Sequence, residues 1–289
     1  MQFTTLDAFL NARLAEFTKG PSAMIFAEDE VELDSTLRHH LKAGFRCVVL
    51  FAPPGFKLAR DLTSQVIRVD YDLFKGGRID EAVTRAIAIA PGTWLYYCYN
   101  GEYLIHPFCE SRTVGEMLAF HAEERRDAML TFVIDLYAGN LDDAPDAVTL
   151  DDAWLDKSGY YALDRLDPAN SYRKKDRQLD FYGGLKWRFE EHVPYERRRI
   201  DRVSLFRAKP GLVMAPDFTF NDEEYNTISC KWHHNLTAAI CSFRAAKALR
   251  RNPGSTYEIR TFRWHNSAPF DWTSDQLMAL GLIEPGQWF

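Results

Sequence analysis

The chain has 289 residues, 46% of them hydrophobic and 14% aromatic, enough to bury a substantial core as one large domain or two small ones. With 26% charged residues it reads as globular, and its net charge of −6 argues against a general nucleic-acid binder, which needs a basic surface. No stretch approaches the roughly 18 consecutive apolar residues of a membrane span.

The opening "MQFTTLDAFLNARLAEF" carries Asp7 and Glu16 and lacks a signal-peptide layout, so the expected compartment is cytoplasmic. "SAMIFA" (22–27) is a short apolar run, read as a strand. In the following "EDEVELDSTLRHHLKAG", Leu33, Leu37 and Leu41 recur on one helical face, and Gly44 is a plausible stop. Of His39 and His40, midway along that helix, one is expected to pack on the sheet. "RCVVLFA" (46–52) is a second strand ended by Pro53-Pro54-Gly55, and "SQVIRVDYD" (64–72) a third. Ile79, Val83 and Ile87 define a helix closed by Pro91-Gly92, and "WLYYCY" (94–99) is a fourth strand. There the run breaks at Asn100-Gly101-Glu102 and resumes at Tyr103-Leu104-Ile105, which reads either as a hairpin or as a strand delivering Glu102 to a ligand. A helix over 113–126 leads to a long strand, "AMLTFVIDLYA" (128–138).

Strands alternating with helices mean βαβ units and a mainly parallel sheet flanked by helices. Beyond residue 139 the sequence turns polar, aromatic and loop-rich. Strands are expected there at 202–208 and 211–215. A helix is expected over 235–251, with Leu236, Ile240, Phe243 and Ala246 inward. The expected layout is thus an α/β half (1–139) and an irregular α+β remainder (140–289) packed on it.

Cys47, Cys98, Cys109, Cys230 and Cys241 show no CxxC spacing, so they indicate neither a zinc site nor a disulfide framework. Positive charge clusters in "SYRKKDR" (171–177), "ERRR" (196–199) and "LRR" (249–251), as solvated faces or as a site for a diphosphate. Glu102 at a strand end could hold a divalent cation or act as a base, or it could be a turn residue. In "KWHHN" (231–235), His233 or His234 could ligate metal or contact a phosphate, or cap the chain segment. In "FYGGLKWRF", Gly183-Gly184 permits close backbone approach beside the cations Lys186 and Arg188, or simply makes a turn. Asp135 and Tyr137 alternate along one strand and share a face suited to sugar hydroxyls; Asp135 could equally be a buried acceptor. No GxSxG, Walker, HExxH or GxGxxG motif is present.

Taken together, several stretches resemble bacterial family 2 glycosyltransferases of the GT-A fold, a Rossmann-like α/β architecture. The resemblance is carried by "EDEVELDSTLRHHLKAGFRCVVLF", "WLYYCYNGEYLIHP", "MLTFVIDLYAGNL", "FYGGLKWRF", "IDRVSLFRA" and "ISCKWHHN", in family order over roughly residues 22–250. It implies a nucleotide-sugar donor, a glycan acceptor, and an Asp-x-Asp pair holding Mn or Mg on the donor diphosphate. Tyr99 and Gly101 stand where those aspartates would fall, and "APPGFKL" (52–58) replaces an Asp- and Asn-rich loop. The implied roles are therefore Glu102 positioning donor or metal, with His234 as a second metal candidate. Asp135 is the acceptor-side base; Lys186, Arg188, Tyr137, Gly183, Gly184 and His233 line the substrate. Loss of the aspartates leaves two readings, a metal-free glycosyltransferase or a non-catalytic carbohydrate- or protein-binding module on the same fold.

Overall fold

A computed structural model describes residues 1–228 and 235–288. From the N-terminus the elements are β1 (Gln2–Phe3), α1 (Leu6–Ala12), α2 (Ala15–Lys19), β2 (Ser22–Phe26), α3 (Leu33–Lys42), β3 (Cys47–Ala52) and β4 (Ile67–Asp70). Then come α4 (Ile79–Ile89), β5 (Trp94–Tyr99), β6 (Glu102–Ile105), α5 (Val114–Glu123), β7 (Ala128–Ala138) and β8 (Ala153–Asp156). The remainder comprises β9 (Tyr161–Asp167), β10 (Arg173–Tyr182), α6 (Gly184–Arg188), β11 (Asp201–Arg207), β12 (Ala238–Ser242), α7 (Arg244–Arg251), β13 (Ser267–Pro269) and α8 (Ser274–Ala279).

The chain divides into two compact units, each assembled from separated segments. One comprises Met1–Tyr103, Ser111–Leu130 and Val203–Asn226; the other comprises Leu104–Glu110, Thr131–Arg202 and Thr227–Phe289. They do not coincide with the consecutive halves 1–139 and 140–289.

The first unit is α/β, with a mixed sheet in the order β1-β4-β3-β2-β5-β11. The first five strands run parallel, and β11 is antiparallel to β5, with Leu205 opposite Tyr96. Strands β2 and β3 are buried along their whole length, as their uninterrupted apolar sequences require of a parallel sheet covered on both faces. Helices α3 and α4 make the crossovers β2–α3–β3 and β4–α4–β5. Phe9, Phe17, Phe26, Phe51, Tyr97 and Phe206 fill the core, with the Phe26 and Phe51 rings stacked at 4.6 Å. The arrangement is consistent with a Rossmann-like fold. Helix α5 opens on a capping box in which Thr113 and Glu116 bond each other's backbone, satisfying two otherwise orphaned N–H groups.

In the second unit β12 runs parallel to β7, and β8 antiparallel to it; β13 extends β8, and β9 and β10 form a separate two-stranded hairpin. Tyr137, Leu141, Leu185, Leu249 and Phe262 share its core. Among the described residues no helix is long and apolar enough to cross a membrane.

Three expectations are corrected. The helix expected over 235–251 is a buried strand, β12, followed by the shorter α7. No strand forms at 211–215; Met214 makes only an isolated bridge to Phe220. The region expected to be loop-rich contains β8, β9 and β10.

Candidate functional site

Strand β2 leads through α3 to β3 and onward to β4 on one side, whereas β5 lies on its other side. The connections therefore diverge between β2 and β5, a topological switch point, and in such sheets ligands bind beyond the carboxyl ends of the strands. Asn100-Gly101-Glu102 and the loop that begins at Glu28 lie at those ends.

The turn itself is not a hairpin, because β5 has β2 and β11 as neighbours. Buried Asn100 accepts from the Glu28 N–H at 2.8 Å and donates to the Asp29 carboxylate at 2.7 Å and to the Val31 carbonyl at 2.9 Å. One amide thus fixes the 28–31 loop on the strand ends. Gly101 adopts φ +71°, a left-handed conformation that suits glycine, and donates its N–H to Thr36 Oγ1 at 2.8 Å. Glu102, only 2% exposed, accepts from the Tyr99 N–H at 2.8 Å. This bond ties Glu102 to its own turn. Nearby, His40 stacks on Tyr96, and burial pushes its imidazole down to about 3, so it is a neutral core histidine. His39 meets Tyr103 edge-on.

The second unit contains a different constellation, built on β7. Asp135 is buried, and its Oδ2 accepts from the Leu185 N–H at 2.8 Å. Its Oδ1 is buried with no hydrogen-bond partner among the described residues. Burial pushes its pKa from 3.8 up to about 6; Lys186 and the Leu185 bond oppose the rise and Asp156 adds to it. Gly184 makes this approach possible: at φ +63° it suits glycine, and a Cβ there would lie 2.6 Å from Asp135 Oδ2. Gly183 packs on the Tyr160 ring, where a Cβ would come within 2.3 Å of Cδ1.

Tyr137 donates to Asp156 at 2.5 Å and lies 2.7 Å from Ser267 Oγ. Burial, with Asp156 close by, raises the Tyr137 phenol well above its usual range, so it stays protonated as a donor. Arg188 grips both Asp156 oxygens at 3.0 and 3.2 Å, donates to the Phe262 carbonyl at 2.6 Å, and lies over the Trp264 ring at 4.6 Å. Trp264 Nε1 gives Asp156 a further bond at 2.8 Å. Lys186 donates to the Arg199 carbonyl at 2.9 Å, and Arg198 and Arg199 bind Glu190 and Asp201.

The structure therefore brings Asp135, Tyr137, Gly183, Gly184, Lys186 and Arg188 together and holds Glu102 in a turn of the other unit. Lys186 and Arg188, expected as diphosphate ligands, already bond within the protein. His233 and His234 lie outside the described residues. Asp156, Tyr160, Trp264 and Ser267 were not anticipated. The signal for Asp156 is an aspartate ending the short apolar run "AWLD" before a Lys-Ser-Gly turn; Trp264 and Ser267, just before and at the start of the three-residue β13, show no such pattern.

Tyr99 and Gly101 supply no carboxylate, Glu102 is bonded to its own turn, and among the described residues no three His, Cys, Asp or Glu side chains converge. A scan against protein-family models finds no match, and a search of curated proteins finds none of significant similarity.

Proposed function

We propose that the chain is a glycosyltransferase-like protein of the GT-A kind, which binds a nucleotide-sugar and passes the sugar to a glycan acceptor. The observation that carries this reading is the switch point between β2 and β5, whose strand ends and 28–31 loop are organised by Asn100. Asp135 is read as the acceptor-side base. Its carboxylate, with a pKa of about 6 and one oxygen unengaged among the described residues, would take the proton of an acceptor hydroxyl. The hydroxyl oxygen then bonds the sugar carbon as that carbon's bond to the nucleotide diphosphate breaks. Tyr137, Asp156 and Arg188 form the polar scaffold around this base. No step is routed through a metal.

A second reading, a non-catalytic carbohydrate- or protein-binding module, is favoured by one specific feature: Lys186, Arg188 and Glu102 are already spent on internal bonds. A turnover assay on Asp135→Asn separates the two. The transferase reading expects a loss of roughly 10²–10⁴-fold in transfer from a panel of nucleotide-sugars, with nucleotide binding retained. Unchanged turnover would remove Asp135 from the mechanism, and absence of turnover in the wild-type chain despite nucleotide binding would favour the module.

A further inference from the structure

The hairpin of β9 and β10 plays no part in the site above. Its register runs from Tyr161 opposite Tyr182 to Asp167 opposite Arg173, with an irregularity between Lys174 and Leu179. It is pinned by ion pairs along its length. Arg165 bonds Asp180 at 2.7 Å and Asp201 at 2.9 Å; Arg199 bonds Asp201 at 2.7 Å, and Asp201 also accepts from the Phe181 N–H at 2.8 Å. The Asp201 side chain is 1% exposed, where charge-assisted bonds are strong and rigid.

Around these ion pairs the exposed side chains are apolar and basic. Of the ten large apolar side chains exposed among the described residues, four fall in this hairpin: Tyr161, Leu163, Leu166 and Tyr172, the last 68% exposed. Beside them, residues 171–177 carry Arg173, Lys174, Lys175 and Arg177 against the single Asp176, in a chain whose net charge is −6. Lys174 pairs with Asp164 and Arg177 with Asp176, yet Arg173 and Lys174 remain exposed.

We propose that this hairpin docks the protein on an anionic lipid surface. Leucines and tyrosines gain by entering the headgroup–acyl boundary, tyrosine favouring that interface for its amphipathic ring. Adjacent Lys and Arg are drawn to anionic headgroups, while the acidic remainder of the chain is not. A nucleic-acid platform would present aromatic faces for bases, whereas half of this apolar set is aliphatic. The ion pairs already hold the hairpin, so it need not be ordered on docking and less of the binding free energy is lost to entropy.

The test is co-sedimentation of the full chain with vesicles of phosphatidylcholine alone, and with vesicles that also contain phosphatidylglycerol. The expected result is binding to the anionic vesicles only, weakened by salt. Arg173→Glu with Lys174→Glu should lower it by about tenfold or more, as should Leu163→Ser with Leu166→Ser. All four positions are exposed, and an unchanged melting temperature shows that the variants fold. Three results would overturn the proposal: no binding to either vesicle, binding indifferent to phosphatidylglycerol, or binding that the hairpin variants leave intact. Self-association of the chain lost in the leucine variant, without vesicle binding, would also overturn it and make the hairpin a contact between copies.

Discussion

Asp135 is the residue on which the proposed chemistry and the stability meet. Its ordinary pKa of 3.8 rises to about 6 in the folded chain because burial penalises the charged form. The folded state therefore holds the proton more tightly than the unfolded state. That contribution to stability is fully present below about 3.8 and is lost as pH rises through about 6. Asp135→Asn cannot ionise, and its amide oxygen can still accept from Leu185. The melting temperature of this variant, relative to wild type, should accordingly climb between about pH 4 and about pH 7, and a parallel pair of pH profiles would contradict the assignment. If Asp135 is the base, turnover should rise through the same interval as its carboxylate forms. Glu102 calls for a different pair of substitutions. Its bond to the Tyr99 N–H is buried, so Glu102→Ala should cost about 1–3 kcal/mol in denaturant unfolding, whereas Glu102→Gln keeps an acceptor and should cost little. Equal losses in both variants would mean that the charge, not the bond, is what the fold uses.

At the scale of elements, Asp156 joins the end of β8 to Tyr137 of β7, Arg188 of α6 and Trp264. Truncating it leaves the largely buried Arg188 guanidinium without its carboxylate. Asp156→Ala should therefore destabilise by about 3–5 kcal/mol, measured by urea denaturation, with Asp156→Asn costing less because it still hydrogen-bonds. A neutral Asp156→Ala would contradict the reading of this cluster as one interdependent unit. The elements that the sequence pattern reveals are strands buried on both faces and helices with one buried face. Strands β2, β3 and β5 are uninterrupted apolar runs, and α3 and α4 repeat apolar residues at helical spacing. Periodicity fails at β12, because Ala238-Ala239-Ile240-Cys241 is a short apolar run that fits a buried strand and a buried helix equally well. It fails again at β9 and β10, where apolar side chains are exposed and several charged ones half-buried, and where the alternation is broken by the irregularity after Lys174. The candidate site was legible to the same degree. Asp135 and Tyr137 alternate on one strand and were visible; Asp156, Trp264 and Ser267 come from distant segments that only folding brings together.

For the whole molecule, the claim is that this α/β chain takes a nucleotide-sugar. The order of the first unit's sheet supplies a switch point, and the loops at its carboxyl end are organised by Asn100 rather than by a pair of aspartates. A ligand bound there would depend on backbone and amide groups more than on a metal, which makes the metal dependence of binding as informative as the binding itself. The most direct measurement is calorimetric titration of the full chain with UDP, GDP and their common sugar conjugates, each with and without manganese. The account predicts micromolar binding of one nucleotide family, little changed when manganese is withheld. Absence of binding to every one of them would contradict it.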